Sequence, residues 1–349
     1  MITGGAGFVG SNLAVALKEA WADAEIVALD NLHRRGSELN VPRLEGFGIE
    51  FLRGDVRSPS DLEAAGSADL LIECSAEPSV LAGSDGDTSY LIETNLQGAL
   101  NCAEYCRKVD AAMIFLSTSR VYPVGPLLEC ELRETETRFE FADGQRVPGL
   151  SSAGVAEEFP LNGPRSLYGA TKLAAETMLE EYRDAFGLPI VIDRCGVIAG
   201  PWQFGKADQG IAAFWTAAHR FRKPLKYIGF GGSGKQARDM LHIDDLARLV
   251  LTQAGDPERF AEGAFNVGGG RGSSASLLEL TGICAEVTGN GVEIASEPET
   301  RYADIPVYVT DNSKIAAHCG WTPEKDVRRI VEDIDRWILE TPGAAELFS

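Results

Sequence analysis

The sequence predicts an α/β protein: a doubly wound parallel sheet with a smaller C-terminal lobe. Three observations predict it. A glycine turn opens the chain in Met1–Asn12, MITGGAGFVGSN. Strand-like and helix-like stretches then alternate to residue 194, the rhythm of a parallel sheet with helical crossovers. Beyond 194 the pieces become short and irregular, as expected for a separate lobe.

The elements follow in order. Gly4, Gly7 and Gly10 give the spacing GxxGxxG between a strand end and a helix start. The first permits a sharp turn, the second lets a ligand approach the backbone, and the third lets the helix pack on the strand. The free N–H groups of that helix start, around Phe8 and Val9, favour a pyrophosphate. VALD follows and ends in Asp30, about 20 residues past the last glycine, where a dinucleotide fold places the acid that holds ribose hydroxyls. An acid there accepts a free 2′-hydroxyl and repels a 2′-phosphate, so NAD is expected rather than NADP, with Asn31 beside it. Arg34 and Arg35 either soften that preference or are solvated loop charges; the second reading is preferred. The first strand has only Met1–Thr3, so either the natural chain begins a residue or two earlier or this strand is short.

IEFLRGDV reads as a third strand, and Asp55-Val56 at its exit would lie beside the adenine. Asp69–Cys74, DLLIEC, is apolar enough for a strand covered on both faces. It exits into SAEPS, which puts Ser75, Ala76 and Glu77 at the carboxyl edge, where such sheets bind ligands. One long amphipathic helix is expected over Tyr90–Lys108, carrying Asn95, and a fifth strand over Ala112–Ser117. Residues 123–166 form an insertion too long for a simple connection, and read as functional or as a lid. LYGATKLAAETMLEEYRDAFG is a strong helix closed by Gly187, and LPIVIDRCGVIAG is the sixth strand and its exit. The expected organisation is a first domain over 1–194, including the insertion 123–166. A second, mostly substrate-binding lobe covers 195–349, with part of 235–265 returning to the core.

The net charge of −20 argues against nucleic acid and anionic membranes as partners. No apolar run reaches the ~18 residues of a spanning helix and no signal segment precedes the glycine turn, so a cytoplasmic protein is expected. The 7 cysteines are scattered and odd in number, which suits buried free thiols rather than a disulfide framework. Cys102 and Cys106 share a helix face, but none of the 4 histidines is near them in sequence and no metal site is expected.

Tyr168 and Lys172 stand four apart on one helix and share a face. Thr118 stands at the end of the fifth strand. A tyrosine is a poor base at neutral pH, but a nearby ammonium stabilises the phenolate. Tyr168 could then take a proton from a sugar hydroxyl, with Thr118 bonding the same oxygen and Lys172 also holding a ribose.

With these residues in order, the sequence resembles the extended short-chain dehydrogenase/reductase family, the NAD-dependent nucleotide-sugar epimerases and dehydratases. The resemblance covers nearly the whole chain. It rests on TGGAGFVG, DNL at 30–32, GDV at 54–56, STSRVY at 117–122, YGATK at 168–172 and RDMLHIDD at 238–245. It implies a Rossmann-type fold, with Thr118, Tyr168 and Lys172 as catalytic trio and Asn95 near the active site. Relatives that eliminate water carry an acid after the threonine, whereas here Ser119-Arg120 follow, which leaves oxidation and re-reduction. Within the family the likeness is to 2-epimerases of CDP-sugars, through ETETRF at 134–139, QF at 203–204, DQG at 208–210, GKQARD at 234–239 and SLLEL at 276–280. Arg120 likewise matches a basic residue there and would face the substrate. The AEPS loop, Cys195 and Trp202 depart from that pattern. By the resemblance Arg238 and Arg301 grip the substrate pyrophosphate, or are surface ion pairs. Gln203 and Phe204 meet the nucleobase, with a core contact equally open for Phe204. A homodimer or homotetramer and a place in lipopolysaccharide O-antigen synthesis are also implied. The competing readings are a UDP- or dTDP-hexose 4-epimerase or 4-reductase, and a non-catalytic dinucleotide-binding regulator.

Overall fold

The computed structural model describes residues 1–83, 86–204 and 210–348, so Asp208 and Gln209 of the DQG motif lie outside the described residues. The chain divides into two compact units. One comprises Met1–Val121, Ser166–Arg194 and Leu246–Ala264; the other comprises Tyr122–Arg165, Cys195–Asp245 and Phe265–Ser349. The insertion therefore groups with the second unit, where the sequence reading had it accompany the first.

Strands β1 (Ile2–Thr3), β2 (Val27–Asp30), β3 (Glu50–Arg53), β4 (Leu70–Glu73), β5 (Ala112–Thr118), β6 (Ile190–Cys195) and β7 (Ala264–Val267) form one sheet. Its order is β7-β6-β5-β4-β1-β2-β3. The pairs around β1 are parallel: β2 on one side with β3 beyond it, β4 on the other with β5 beyond it. Strand order reverses at β1, and ligands of open parallel sheets bind outside the carboxyl ends at such a reversal. β6 is buried along its whole length and β5 almost so, as expected of strands covered on both faces.

Three helices matter for the site. α1 (Phe8–Ala20) leaves the glycine turn. α2 (Gly98–Val109) buries Cys102, Ala103, Tyr105 and Cys106 in a core shared with Leu71, Phe115 and Ile192. α3 (Leu167–Phe186) is capped by the Ser166 hydroxyl, which accepts from the Gly169 N–H, and is closed by Gly187 at φ +66°. Its Ala175 and Leu179 enter the same core. The single helix expected over Tyr90–Lys108 is instead a helical turn Ser89–Ile92, a π turn Glu93–Gln97 and then α2. The wide turn holds Asn95, whose side chain bonds the loop after β4. Single π turns of this kind are frequent at functional positions.

In the second unit, Ala237–His242 pairs in parallel with Val197–Ala199 and Val307–Tyr308, and antiparallel with Ser274–Ser276. Helices Ile211–Arg220, Leu277–Thr288 and Val327–Glu340 bury Trp215, Leu280, Ile334 and Trp337 in one apolar cluster. The insertion folds as two small antiparallel hairpins. It is tied down by Tyr122 Oη donating to Asn266 Oδ1 at 2.7 Å and by Val155, whose N–H donates to the Val309 carbonyl at 2.8 Å. These bonds make it part of the packed unit rather than a detached lid. The cysteines are free thiols. Among the described residues no helix is long and apolar enough to cross a membrane.

Candidate active site

The glycine turn is built as its spacing demands. Gly4 has φ +62°, and a Cβ on Gly10 would stand 2.3 Å from the Gly4 carbonyl oxygen, so only glycine fits there. A Cβ on Gly7 would meet just that oxygen, at 3.1 Å, which leaves the turn open for a ligand. Gly7 caps α1 with no side-chain bond, and the first turn holds no acid. The first N–H groups of α1, Phe8 and Val9 among them, therefore keep their donors for an incoming anion. Asp30 is nearly buried, its carboxylate accepting from Ala6 N at 3.1 Å and Leu32 N at 2.7 Å. Burial raises its pKa against the pull of those backbone donors. The turn and Asp30 are thus one rigid unit that fits the pyrophosphate and ribose of a dinucleotide.

At the exits of β2 and β3, Asn31 Nδ2 donates to Asp55 Oδ2 at 2.9 Å, and Arg57 forks onto both Asp55 oxygens at 3.0 and 2.8 Å. Burial works to raise the Asp55 pKa, but these donors outweigh it and hold the carboxyl at about 2. The Arg57 guanidinium also lies 4.8 Å from the Tyr90 ring, and Tyr90 packs on His33 at 4.4 Å. Val56 is buried; its carbonyl accepts from Asn101 Nδ2 at 2.8 Å. Arg57, Tyr90 and His33 were not among the residues the sequence singled out, because they meet only through the fold.

The three residues expected to be catalytic stand on β5 and α3. Thr118 ends β5, and its Oγ1 accepts from the N–H of half-buried Arg120 at 3.2 Å, which leaves the hydroxyl proton to donate. Tyr168 is half-buried on the first turn of α3, one turn before the buried Lys172. Helix and strand are locked together behind them. Glu176, one turn after Lys172, accepts from Ser117 Oγ and from Arg194 Nη2 of β6, the latter at 2.8 Å, all three buried. Lys172 Nζ lies 3.9 Å from the centroid of the Phe115 ring on β5 and 3.4 Å from Glu73 Oε2 at the end of β4. Asn95 is fully engaged with protein: Oδ1 accepts from Glu77 N at 2.8 Å, and Nδ2 donates to Glu77 O at 3.1 Å and Thr171 Oγ1 at 3.3 Å. Its contacts pin the Ser75–Glu77 loop to α3, rather than reaching outward. Glu73 was missed by sequence reasoning; its signal was a carboxylate inside the apolar strand DLLIEC.

Of the residues expected to face the substrate, Arg120 lies in the first unit, and Gln203, Phe204, Arg238 and Arg301 lie in the second. Arg238 Nη2 donates to Asp304 Oδ1 at 2.8 Å and to Ile305 O at 2.6 Å, and Nη1 to Ala237 O at 2.8 Å. Arg301 is exposed in the same loop as Asp304. Gln203 Nε2 donates to Ile198 O at 2.8 Å. Phe204 is 8% exposed, in the apolar cluster with its ring 6.4 Å from Trp337, so the core reading of this residue is the one its packing matches.

Fold and site together define an NAD-dependent enzyme. The chain belongs to the NAD dependent epimerase/dehydratase family, whose profile matches residues 1–268. It is 32% identical to CDP-paratose 2-epimerase of Salmonella typhi, over 97% of this chain and 98% of that one. It is 27% identical to dTDP-L-rhamnose 4-epimerase of Burkholderia thailandensis, over 97% and 94%. Among solved structures, UDP-glucose 4-epimerase of Thermus thermophilus in complex with NAD superposes with TM-score 0.77 at 27% identity, over 97% and 98% of the two chains.

Proposed function

We propose that this chain is a nucleotide-sugar epimerase that inverts carbon 2 of a CDP-linked sugar. The observation that carries the reading is Thr118 at the end of β5, followed by Ser119-Arg120 and not by an acid, with Tyr168 and Lys172 one turn apart on α3, which packs against that strand end: a set suited to moving one hydroxyl proton. The full-length likeness to CDP-paratose 2-epimerase supports the choice of base and carbon.

The glycine turn, Asp30, Asn31, Asp55-Val56 and Lys172 would hold NAD, with Ser75–Glu77 at the same edge. NAD supplies the acceptor and later the donor of a hydride. Thr118 orients the sugar oxygen by donating to it. Tyr168 as phenolate takes the hydroxyl proton, and returns it once the flattened carbon has presented its other face. Lys172 favours the phenolate by its positive charge. Arg238 and Arg301 suit the substrate pyrophosphate, since guanidinium forks bind phosphate oxygens in pairs; Arg238 would exchange Asp304 for phosphate. In this reading the enzyme is a cytoplasmic homodimer or homotetramer serving lipopolysaccharide O-antigen synthesis.

Incubation with CDP-, UDP- and dTDP-hexoses followed by sugar analysis tests the proposal. Inversion at carbon 2 of a CDP-sugar supports it; inversion at carbon 4 of a UDP- or dTDP-sugar replaces it with the 4-epimerase reading. Tyr168→Phe is expected to lower kcat about a thousandfold while bound NAD remains. Loss of NAD in that variant would make Tyr168 a cofactor anchor instead of the acid–base group.

A further inference from the structure

We propose that Glu73 is a positioning residue for Lys172. Buried and paired with the ammonium at 3.4 Å, it fixes Nζ and cancels part of the charge that Lys172 exerts on Tyr168. This rests on the reading of Tyr168 as the acid–base group.

The geometry is specific. The Glu73 and Lys172 side chains are 1% and 3% exposed. Glu73 stands between Thr3 of β1 and Phe115 of β5 in the sheet register, so its backbone cannot shift. Phe115 closes one side of the ammonium with its ring face at 3.9 Å, where the quadrupole attracts a cation. A lysine has three donors; one goes to Glu73 and another direction is filled by the ring, which leaves the remainder for a ribose or for Tyr168. Glu73 Oε1 has no hydrogen-bond partner although it is buried. A buried carboxylate with one oxygen unpaired is costly, and Lys172, with help from the Ser75 backbone N–H, offsets it.

The charged and titratable groups around Glu73 are few. From α3 there are Lys172 and, one turn earlier, Tyr168; from α2 there is Cys102; Cys74 follows in the chain. Burial raises the Glu73 pKa, while Lys172 and the backbone N–H of Ser75 lower it. Burial, with the Glu73 charge added to it, pushes both thiols up and keeps them neutral. As an ion pair at 3.4 Å the two side chains form a local dipole. Without the carboxylate the ammonium would act on the phenolate undiminished.

The test is an ultraviolet difference titration of the Tyr168 phenolate in the NAD-saturated enzyme, each protein read against its own Tyr168→Phe partner. Glu73→Gln is expected to lower the Tyr168 midpoint by about one pH unit, a tenfold gain in phenolate, the effect of a unit charge across about 10 Å at an effective dielectric near 20. In the Lys172→Met background Glu73 loses its cation and is held neutral, so adding Glu73→Gln should shift nothing. With the sugar substrate, the acid limb of kcat should move with the midpoint while KM stays within about twofold. Coincident midpoints for wild type and Glu73→Gln, a raised midpoint, or an equal shift in both backgrounds would overturn the proposal. If Glu73→Gln does not fold, Glu73→Asp, which withdraws the carboxylate by one methylene, should lower the midpoint by a smaller amount, and no shift there overturns it. The titration needs no sugar, so a wild type that inverts no nucleotide sugar sinks the proposed function and still leaves Glu73 decided.

Discussion

Asp193 shows how a single carboxyl can govern the pH dependence of the fold. It lies on β6 with no exposed surface; Oδ1 accepts from Gln253 Nε2 at 2.9 Å and Oδ2 has no hydrogen-bond partner. Burial pushes its pKa up to about 7, against the pull of that one bond. The folded carboxyl thus holds its proton more tightly than the unfolded chain does. Its contribution to stability is complete below the ordinary carboxylate range and is lost as the pH climbs through about 7, a swing of about 4 kcal/mol at most. Asp193→Asn keeps the acceptor for Gln253 and cannot ionise. Urea unfolding should show that this variant gains on wild type, with the gain at about pH 8 exceeding that at about pH 5 by about 2 to 3 kcal/mol. An equal gain at both would mean that Asp193 does not titrate in this range.

At the scale of elements, the glycine turn and α1 act as one part. Gly10→Ala drives a Cβ into the Gly4 carbonyl, so α1 must move away from β1, carrying the N–H groups of Phe8 and Val9 with it. The expected result is an NAD affinity at least about tenfold weaker together with a loss of about 1 to 3 kcal/mol, read by NAD titration and thermal unfolding. Unchanged affinity with lowered stability would place the anion elsewhere than at this helix start. This turn was legible in the sequence because its three glycines and Asp30 have a fixed spacing within one βαβ unit. So was the placement of Tyr168 and Lys172 one turn apart on one helix and of Thr118 at the end of an apolar strand. The contacts that tune these residues were not legible. Glu73 meets Lys172 across 99 positions, Asn95 meets Glu77 across 18, and Arg238 meets Asp304 across 66. Nothing local marks such a partner, and the burial of a charge is decided by the sheet, not by its neighbours in sequence. The insertion, read from its length as functional or as a lid, groups with the second unit, and the bonds of Tyr122 and Val155 that hold it there are long-range.

For the molecule as a whole, the net charge of −20 sets a condition that no single residue reveals. A nucleotide-diphosphate sugar is an anion, and it must approach an acidic protein before any guanidinium can hold it. At low ionic strength the field of the whole chain reaches about 30 Å, whereas near physiological salt it is screened within about 8 Å. A contact between a partly buried guanidinium and phosphate, as proposed for Arg238, acts at much shorter range and is screened less. Salt should therefore relieve the long-range repulsion more than it weakens the final grip. Raising ionic strength from about 10 to about 150 mM is expected to raise kcat/KM for the nucleotide sugar about two- to threefold, through KM, with kcat unchanged. A steady fall in kcat/KM over that range would mean instead that local cations, Arg301 foremost because it is exposed, govern the approach. Arg301→Ala would then be expected to remove the salt dependence along with the affinity.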